Sequence, residues 1–381
     1  MPTRKLYYED CHLTTFSAEV RSCTREERGF AVILSATAFY PEGGGQACDL
    51  GTLGDVNVLD VRERGEEVVH LCDGALPVGV VVEGRIQWER RFDLQQQHTG
   101  EHIVSGILHR LFGYHNTGFH VGQELMEVDF DGPLTPEQVL AVEQEANEMV
   151  WKNLPVQCWI PQPEELEQTE YRTKRALPWP VRIVRIEGVD SCACCGVHVK
   201  TTGEVGMIKI VSCVKFHQGV RLEMACGARA WRYMGEIFAQ NRQISQMLSA
   251  PMPQTAQAVQ KLMEQLAAQK QQTATLQKQV FDAVAAEFAG AGDVVYFAED
   301  LNGAGVRELA ERIANLCGGR AAVFSGADGT GYNYCLAHKG GDLRGFNKEM
   351  TGALSGRGGG KPEFQQGTVR ADRAAIEAYF A

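Results

Sequence analysis

Four residues in two short stretches have the types and the spacing to hold a metal ion. His98 and His102 stand four residues apart, and so do Cys194 and His198 in a second stretch rich in Cys and Gly. Three imidazoles and one thiol make a tetrahedral donor set suited to Zn²⁺. Either pair alone is weak, since two histidines on a helix are often ordinary surface or core residues. Both pairs together, in a chain whose 12 cysteines lack the spacing of a disulfide framework, point to one zinc site. Cys192 and Cys195 flank the thiol, and Cys194 or Cys195 could reach the metal. A closed four-ligand site is normally structural, so catalysis there requires water in place of one ligand or expansion to five-coordinate. The zinc then polarises water or substrate, or anchors the substrate beside an activated water. Glu101 does not directly follow the first histidine, so the H-E-x-x-H protease pattern is absent. His109 falls near the face of His102 and reads as a spare core or surface histidine.

These side chains need elements to position them. Leu94, Ile103, Ile107, Leu108 and Leu111 recur at helical intervals around the first pair, which therefore projects from one helix face, with Asp93 as its expected cap. The second pair lies just before Glu204-Val205-Gly206-Met207-Ile208, a turn entering a strand. Residues 1–90 alternate in short runs such as Ala31–Leu34, Val56–Leu59 and Val68–Leu71, cut by glycine turns, and predict a small all-β unit. From 91 to 225 the reading is mixed: the histidine helix, a second helix over Pro136–Lys152, then strands at Val181–Ile186 and Met207–Val211. That order predicts a two-layer α+β domain. Residues 226–290 turn helical, broken once at Pro251-Met252-Pro253. Beyond the break, Val259, Leu262, Leu266, Gln269, Thr273, Leu276 and Val280 form a heptad seam with two polar positions. The seam predicts a coiled coil that pairs two copies through residues 254–280, with an intramolecular helical hairpin as the alternative. Residues 291–381 restart as an α/β unit, with strands Val294–Phe297, Ala321–Phe324 and Tyr334–Ala337, a helix Arg307–Cys317, and the glycine run Gly356–Gly360 in a loop before Lys361. The fold class is therefore multidomain α+β.

Bulk composition narrows the function. The chain has 381 residues, 44% hydrophobic and 22% charged, ordinary for a soluble protein of two or three domains. No apolar run approaches the roughly 20 residues that span a bilayer, and the first ten residues lack a signal-peptide core. A cytoplasmic protein without membrane partners is expected. The net charge of −11 argues against a nucleic-acid partner until its distribution is read. Residues 172–232 hold 11 basic and 4 acidic residues, a net of +7, around the Cys194/His198 pair. Local positive potential of that kind serves a polyanion, although a solvated basic face would look the same.

Arg90 to His102, then Cys194 to Gly206, resemble the editing domain of alanyl-tRNA synthetase and of its free-standing relatives, the alanyl-tRNA editing (AlaX) proteins. Thr37 to Gln46, ending in Gly43-Gly44-Gly45-Gln46, resembles the glycine-rich motif of the same family. Gly358-Gly359-Gly360-Lys361 resembles the glycine segment of the synthetase's C-terminal tRNA-binding (C-Ala) domain. The matches run from about residue 30 to about 370 in the family's order and imply its long form. The resemblance implies a β-barrel over 1–90, an editing domain over 91–225, a helical or coiled-coil linker over 226–290, and a tRNA-binding domain over 291–381. It implies Zn²⁺ on His98, His102, Cys194 and His198, the family spacing selecting Cys194. Cys195 stands where the family usually has Gly, and Val197 where it has Thr. Thr37 and Gln46 are implied to act at the reacting substrate, with Gly43, Gly44 and Gly45 building the amino-acid pocket. A threonine hydroxyl could pair with a serine side chain, which alanine lacks. Arg357 and Lys361 are implied to contact tRNA. The implied reaction is hydrolysis of mischarged tRNA(Ala), chiefly Ser-tRNA(Ala) and secondly Gly-tRNA(Ala), by a chain with no room for an aminoacylation domain. A homodimer through 254–280 and the C-terminal domain is expected. The alternative from another class is a non-catalytic tRNA-binding module that keeps its zinc.

Overall fold

Alternation of apolar and polar residues builds the first sheet. In Thr15–Glu26, Phe16, Ala18 and Val20 are buried while Thr15, Ser17 and Glu19 are exposed, the period of two that a strand with one covered face requires. Six antiparallel strands close on themselves in the order Thr15–Glu26, Gly29–Leu34, Glu67–Cys72, Val56–Arg64, Gly51–Leu53 and Val81–Ile86. Their inward side chains, including Val20, Leu34, Leu53 and Val61, form one apolar cluster. The structure is a computed structural model that describes residues 2–173 and 179–381. Lys174 and Arg175 of the basic stretch lie outside the described residues.

The helix Trp88–Phe112 follows the barrel strands. It starts before Asp93: Gln87 is the N-cap residue, and Asp93 lies inside the first turns, paired with Arg229. Trp88 and Phe92 stack on one another there, giving the early turn an apolar contact that the periodic run further on does not include. Leu94 to Leu108 is buried almost throughout, polar residues included. Three consecutive glutamines pin it: Gln95 donates to the carbonyl of Cys11, Gln96 to that of Glu204 and Gln97 to that of Cys226. A second helix, Pro136–Trp151, begins on a capping box in which Thr135 and Gln138 satisfy each other's backbone N–H groups. Both helices pack on the antiparallel sheet ordered Ile208–Phe216, Gly219–Cys226, Met126–Phe130, Asn116–Val121, their shared core containing Ile103, Ile107, Val142, Leu222 and Met224. A smaller sheet pairs Val156–Trp159, Ile183–Ile186 and Asp190–Ala193.

The chain divides into two compact units, Met1–Gln243 and Ile244–Ala381. The helix Gly227–Leu248 crosses the division, and Thr255–Glu287 is a 33-residue helix of the second unit. The break between them falls at Pro251-Met252-Pro253, as the prolines predict. Most of the long helix is exposed, including Val259, Leu262, Leu266, Leu276 and Val280; Phe281 and Ala285 near its end are buried in the core of its own unit, and Val284 packs against it. That core lies on a five-stranded sheet ordered Gly292–Ala298, Gly318–Ala327, Gly331–Ala337, Phe364–Val369, Arg357–Lys361. The first two strands are parallel and joined by the helix Gly303–Cys317, capped by Asn302, while the rest are antiparallel. The glycine run is an edge strand, not a loop. A Cβ at Gly358 would stand 2.2 Å from the Tyr334 hydroxyl, and one at Gly360 2.2 Å from the Phe364 carbonyl, so close strand pairing requires glycine there. No described helix is long and apolar enough to cross a membrane.

Candidate metal centre and substrate cavity

The histidine helix and the turn after the strand Asp190–Ala193 bring the four sequence-marked donors to one point. The ligand atoms of His98, His102, Cys194 and His198 all lie within 4.8 Å of one another. Cys194 Sγ is 3.4 Å from His98 Nε2 and 3.5 Å from His198 Nε2. A tetrahedral Zn²⁺ with ordinary bond lengths of about 2.0–2.1 Å to nitrogen and about 2.3 Å to sulfur separates N and S by about 3.5 Å. The cluster therefore has the spacing as well as the chemistry of a zinc site. Cys195 points elsewhere: it is exposed, and the thiol within the cluster belongs to Cys194.

Each imidazole is held by its other nitrogen. His98 Nδ1 donates to Gln46 Oε1 at 2.8 Å, His102 Nδ1 to Asp190 Oδ2 at 2.9 Å, and His198 Nδ1 lies 3.2 Å from the Thr99 hydroxyl. With Nδ1 carrying the proton, the Nε2 lone pairs of His98 and His102 face the centre, the arrangement that ligating histidines adopt. Behind His102, Asp190 is gripped by Arg172 through contacts of 2.7 and 2.9 Å. Burial disfavours the Asp190 carboxylate, but His102 and Arg172 outweigh it and hold its pKa below the ordinary value. Burial likewise opposes ionisation of Cys194, yet the surrounding imidazoles, His98 foremost, pull its thiol well below the usual range. Burial and the neighbouring His98 push His198 down to about 3, so that ring is neutral. A thiolate and neutral imidazoles are the forms a metal binds, and His102, which burial pushes down but Asp190 and Cys194 raise well above the ordinary pKa, gives up a proton when the ion enters.

Gln46 reaches the centre because the glycine-rich loop is tied to the histidine helix. Arg91 and Asp49, both fully buried, form an ion pair; Asp49 also accepts from the Tyr40 N–H, and Arg91 donates to the Ala38 carbonyl at 2.6 Å. Gly196 allows the closest approach, since a Cβ there would lie 2.1 Å from His98 Cε1.

The cluster opens into a cavity of about 620 Å³ whose wall includes Gly44, Gly45, Glu101, Asn116, Phe119 and Arg182. That volume is of the size that takes a small organic ligand. A larger, more open groove of about 680 Å³ in the second unit, beside Arg307 and Tyr334, contains none of the clustered His, Cys and carboxylate donors found among the described residues. The four-donor cluster opens onto the smaller one.

The other sequence-marked residues divide. Gly44 and Gly45 line the cavity; Gly43 does not, and closes the turn with Gln46. Thr37 does not line it either. Its hydroxyl is fully buried, 2.8 Å from His70 Nε2 and accepting from the Phe39 N–H, so two of its hydrogen bonds are made inside the barrel. Arg357 and Lys361 are exposed on the edge strand of the second unit. His109 stands apart from the cluster, with Nδ1 3.2 Å from the Tyr114 carbonyl. Sequence reasoning passed over Asp190 and Arg172 as anything but charges, and used Glu101 only to reject a protease. Glu101 lies one turn from His98 on the same helix, and that spacing was the available signal.

Comparison with known proteins places these features. Residues 181–222 match the family model described as the threonyl and alanyl tRNA synthetase second additional domain. The chain is 31% identical over 391 residues to alanyl-tRNA editing protein Aarsd1-A of Xenopus laevis, covering 97% of this chain and 95% of that one. It is 34% identical over 276 residues to alanyl-tRNA editing protein Aarsd1 of Mus musculus, covering 68% and 67% respectively. It is also 35% identical over 292 residues to the alanine–tRNA ligase of Ignicoccus hospitalis, covering 73% of this chain but 32% of that enzyme.

Proposed function

This chain belongs to the family of alanyl-tRNA editing proteins, and from that premise we propose that it hydrolyses the ester of tRNA(Ala) carrying the wrong amino acid, chiefly serine and secondly glycine. It is an editing hydrolase and not a full synthetase. The observation that carries the reading is the four-donor cluster, each imidazole oriented from behind, opening onto a cavity of about 620 Å³. A structural site alone would need no such opening.

His98, His102, Cys194 and His198 are the residues that would hold Zn²⁺. When bound, the ion supplies Lewis acidity for the ester or for water and an anchor for the 3′ end of the tRNA. The protein's own part is positioning. Gln46 and Asp190 fix two imidazole rings, and Arg172 fixes Asp190. Arg182 donates to the carbonyls of Cys194 and Gly196 at 3.0 and 2.8 Å, which holds the ligand-bearing turn in place. Gly44 and Gly45 let backbone form the cavity wall without side chains, leaving room for a small amino acid. An aminoacyl ester is already labile, so orientation supplies much of what catalysis needs.

Outside the centre we assign support roles. The barrel strands and glycine loop of residues 1–90 carry Gln46, residues 91–225 carry the ligands, and 226–290 link them to a tRNA-binding unit at 291–381. Arg357 and Lys361, exposed at the two ends of the glycine edge strand, would meet the tRNA backbone. The exposed apolar residues of Thr255–Glu287 would pair with a second copy of the chain, with polar Gln269 and Thr273 fixing register. Charged tRNA as substrate makes the cytoplasm its compartment. Purified protein incubated with Ser-, Gly- and Ala-tRNA(Ala) tests the reading: the first two should be deacylated faster than the third, and equal rates on all three would count against it.

A further inference from the structure

One carboxylate in the cavity keeps an oxygen without a hydrogen bond. Glu101 is 6% exposed and lies beside the metal cluster, with Oε2 3.9 Å from His102 Nε2. Its Oε1 accepts from the Ser105 hydroxyl and from Asn116 Nδ2, each at 2.5 Å. Among the described residues Oε2 receives no hydrogen bond, and its one ion-pair contact is the 3.9 Å approach to His102, whose ring belongs to the metal cluster. Asn116 is also on the cavity wall and 9% exposed. Its Nδ2 is spent on Glu101, which fixes the orientation of the amide, and its Oδ1 is buried without a hydrogen-bond partner. Glu101 thus keeps one carboxylate oxygen, on the cavity wall beside the cluster, that no hydrogen-bond donor of the described residues meets, while Asn116 holds the other oxygen in place. A buried acceptor left without a donor is costly, and a buried carboxylate calls for a cation.

We propose that Glu101, held in place by Asn116, binds the free α-ammonium group of the aminoacyl ester, so that the enzyme acts on esters with an unblocked amino group. The inference rests on the editing function proposed above and deepens it. An α-ammonium carries one positive charge and three N–H donors, which gives Glu101 Oε2 both a charge partner and a hydrogen bond. The side chain of serine or glycine supplies no such group, so this contact reads the feature common to all aminoacyl esters. It orients the ester relative to the cluster and leaves the choice among amino acids to the rest of the cavity. An N-acylated aminoacyl or peptidyl ester is neutral at that nitrogen and offers a single N–H. It leaves Glu101 unpaired and adds an acyl group where the wall is close. The site thereby spares peptidyl-tRNA and formylated aminoacyl-tRNA without any contact to the remainder of those molecules.

The test uses the full chain with its metal content measured. Rates on Ser-tRNA(Ala) and N-acetyl-Ser-tRNA(Ala), each divided by its spontaneous hydrolysis, are compared for wild type and Glu101→Gln. Binding of the non-hydrolysable 3′-serylamido-adenosine and of its N-acetyl derivative is measured by calorimetry on the same samples. Wild type should bind the free-amine analogue about 10- to 100-fold more tightly than the acetylated one, the factor expected for one charged hydrogen bond. Glu101→Gln should bring the two affinities within about threefold at unchanged metal content, mainly by weakening the free-amine analogue. Equal affinity of wild type for both analogues would overturn the proposal without recourse to any variant. So would a Glu101→Gln loss of equal size on both esters, which would place Glu101 on the water or the carbonyl instead. Hydrolysis of neither ester by wild type would remove the editing function itself, whereas cleavage of both at equal rates leaves that function standing and sinks only this inference.

Discussion

Gly196→Ala should dismantle the metal centre without touching a ligand. A Cβ at residue 196 would stand 2.1 Å from His98 Cε1, 2.4 Å from its Nδ1 and 3.2 Å from Gln46 Oε1. Carbon atoms settle at about 3.5–4.0 Å, so the imidazole would have to retreat by more than about 1 Å. It has little room to do so. Its ring packs against Phe119 with centroids 5.1 Å apart and against His198 at 4.5 Å, and His98 is 2% exposed. Metal-ligand distances tolerate only about 0.2 Å, and the retreat would also break the 2.8 Å bond to Gln46. Gly196 does not have a positive φ, so the backbone itself accepts alanine and the effect is confined to this contact. Loss of an orienting partner alone lowers metal affinity about 10- to 100-fold, and displacement of a ligand sets that range as the minimum. Competition against a chelator gives the affinity, and deacylation of Ser-tRNA(Ala) on the same preparation gives the activity; both should fall together. Gly235→Ala is the control. It lies in the exposed helix Gly227–Leu248 with nothing within 4 Å of its Cβ, and should leave metal affinity unchanged while stabilising the helix by about 0.5–1 kcal/mol. Wild-type metal affinity in Gly196→Ala would refute the placement of His98 in the cluster.

Burial lowers the pKa of His70 to about 4, against about 6.5 in the unfolded chain, even though the Val32 carbonyl works the other way. The unfolded state then binds more protons between those values, so stability is lost as pH falls from about 6.5 to about 4 and levels off below, by on the order of 3 kcal/mol. His70→Gln should flatten that part of the stability profile in thermal unfolding between pH 4 and 7, and an unchanged slope would contradict it. Thr37→Val should cost about 1–3 kcal/mol by leaving His70 Nε2 without its partner, yet leave the ratio of Ser- to Ala-tRNA(Ala) hydrolysis intact; a collapse of that ratio would return Thr37 to the amino-acid pocket. A chain ended after Gln243, at the division between the two units, should keep its metal and still cleave mischarged tRNA, with weaker binding and as a monomer in light scattering. Loss of hydrolysis at saturating tRNA with metal retained would give the second unit a part in the chemistry.

What was legible in the sequence was local. His98 and His102 share one turn of helix, and Cys194 and His198 one turn of chain, so their meeting required only that the two stretches approach. The groups that orient them come from far away: Gln46 is 52 residues from His98, Asp190 is 88 from His102, and Thr99 is 99 from His198. No periodicity announces such pairs. Apolar spacing also misjudged the start of the histidine helix, because its first turns are fixed by the Trp88–Phe92 stack and by the Arg91–Asp49 ion pair rather than by a repeating stripe. The glycine run before Lys361 reads as a loop by propensity, and tertiary pairing with Phe364–Val369 overrides it. Helices such as Pro136–Trp151, with Pro at its start and a Thr cap, and strands such as Gly29–Leu34, with an uninterrupted apolar run, carried their own signals. The long helix was legible too, but a seam on one helix does not name what covers it.

Ser-tRNA(Ala) deacylation by the full chain and by His102→Ala, with zinc per chain measured in both, tests the metal centre most directly. The wild type should carry close to one equivalent and hydrolyse the ester faster than it hydrolyses Ala-tRNA(Ala), while His102→Ala should lose metal and activity together. Undiminished hydrolysis by a metal-free His102→Ala protein would show that the ester is cleaved somewhere other than the cluster of His98, His102, Cys194 and His198.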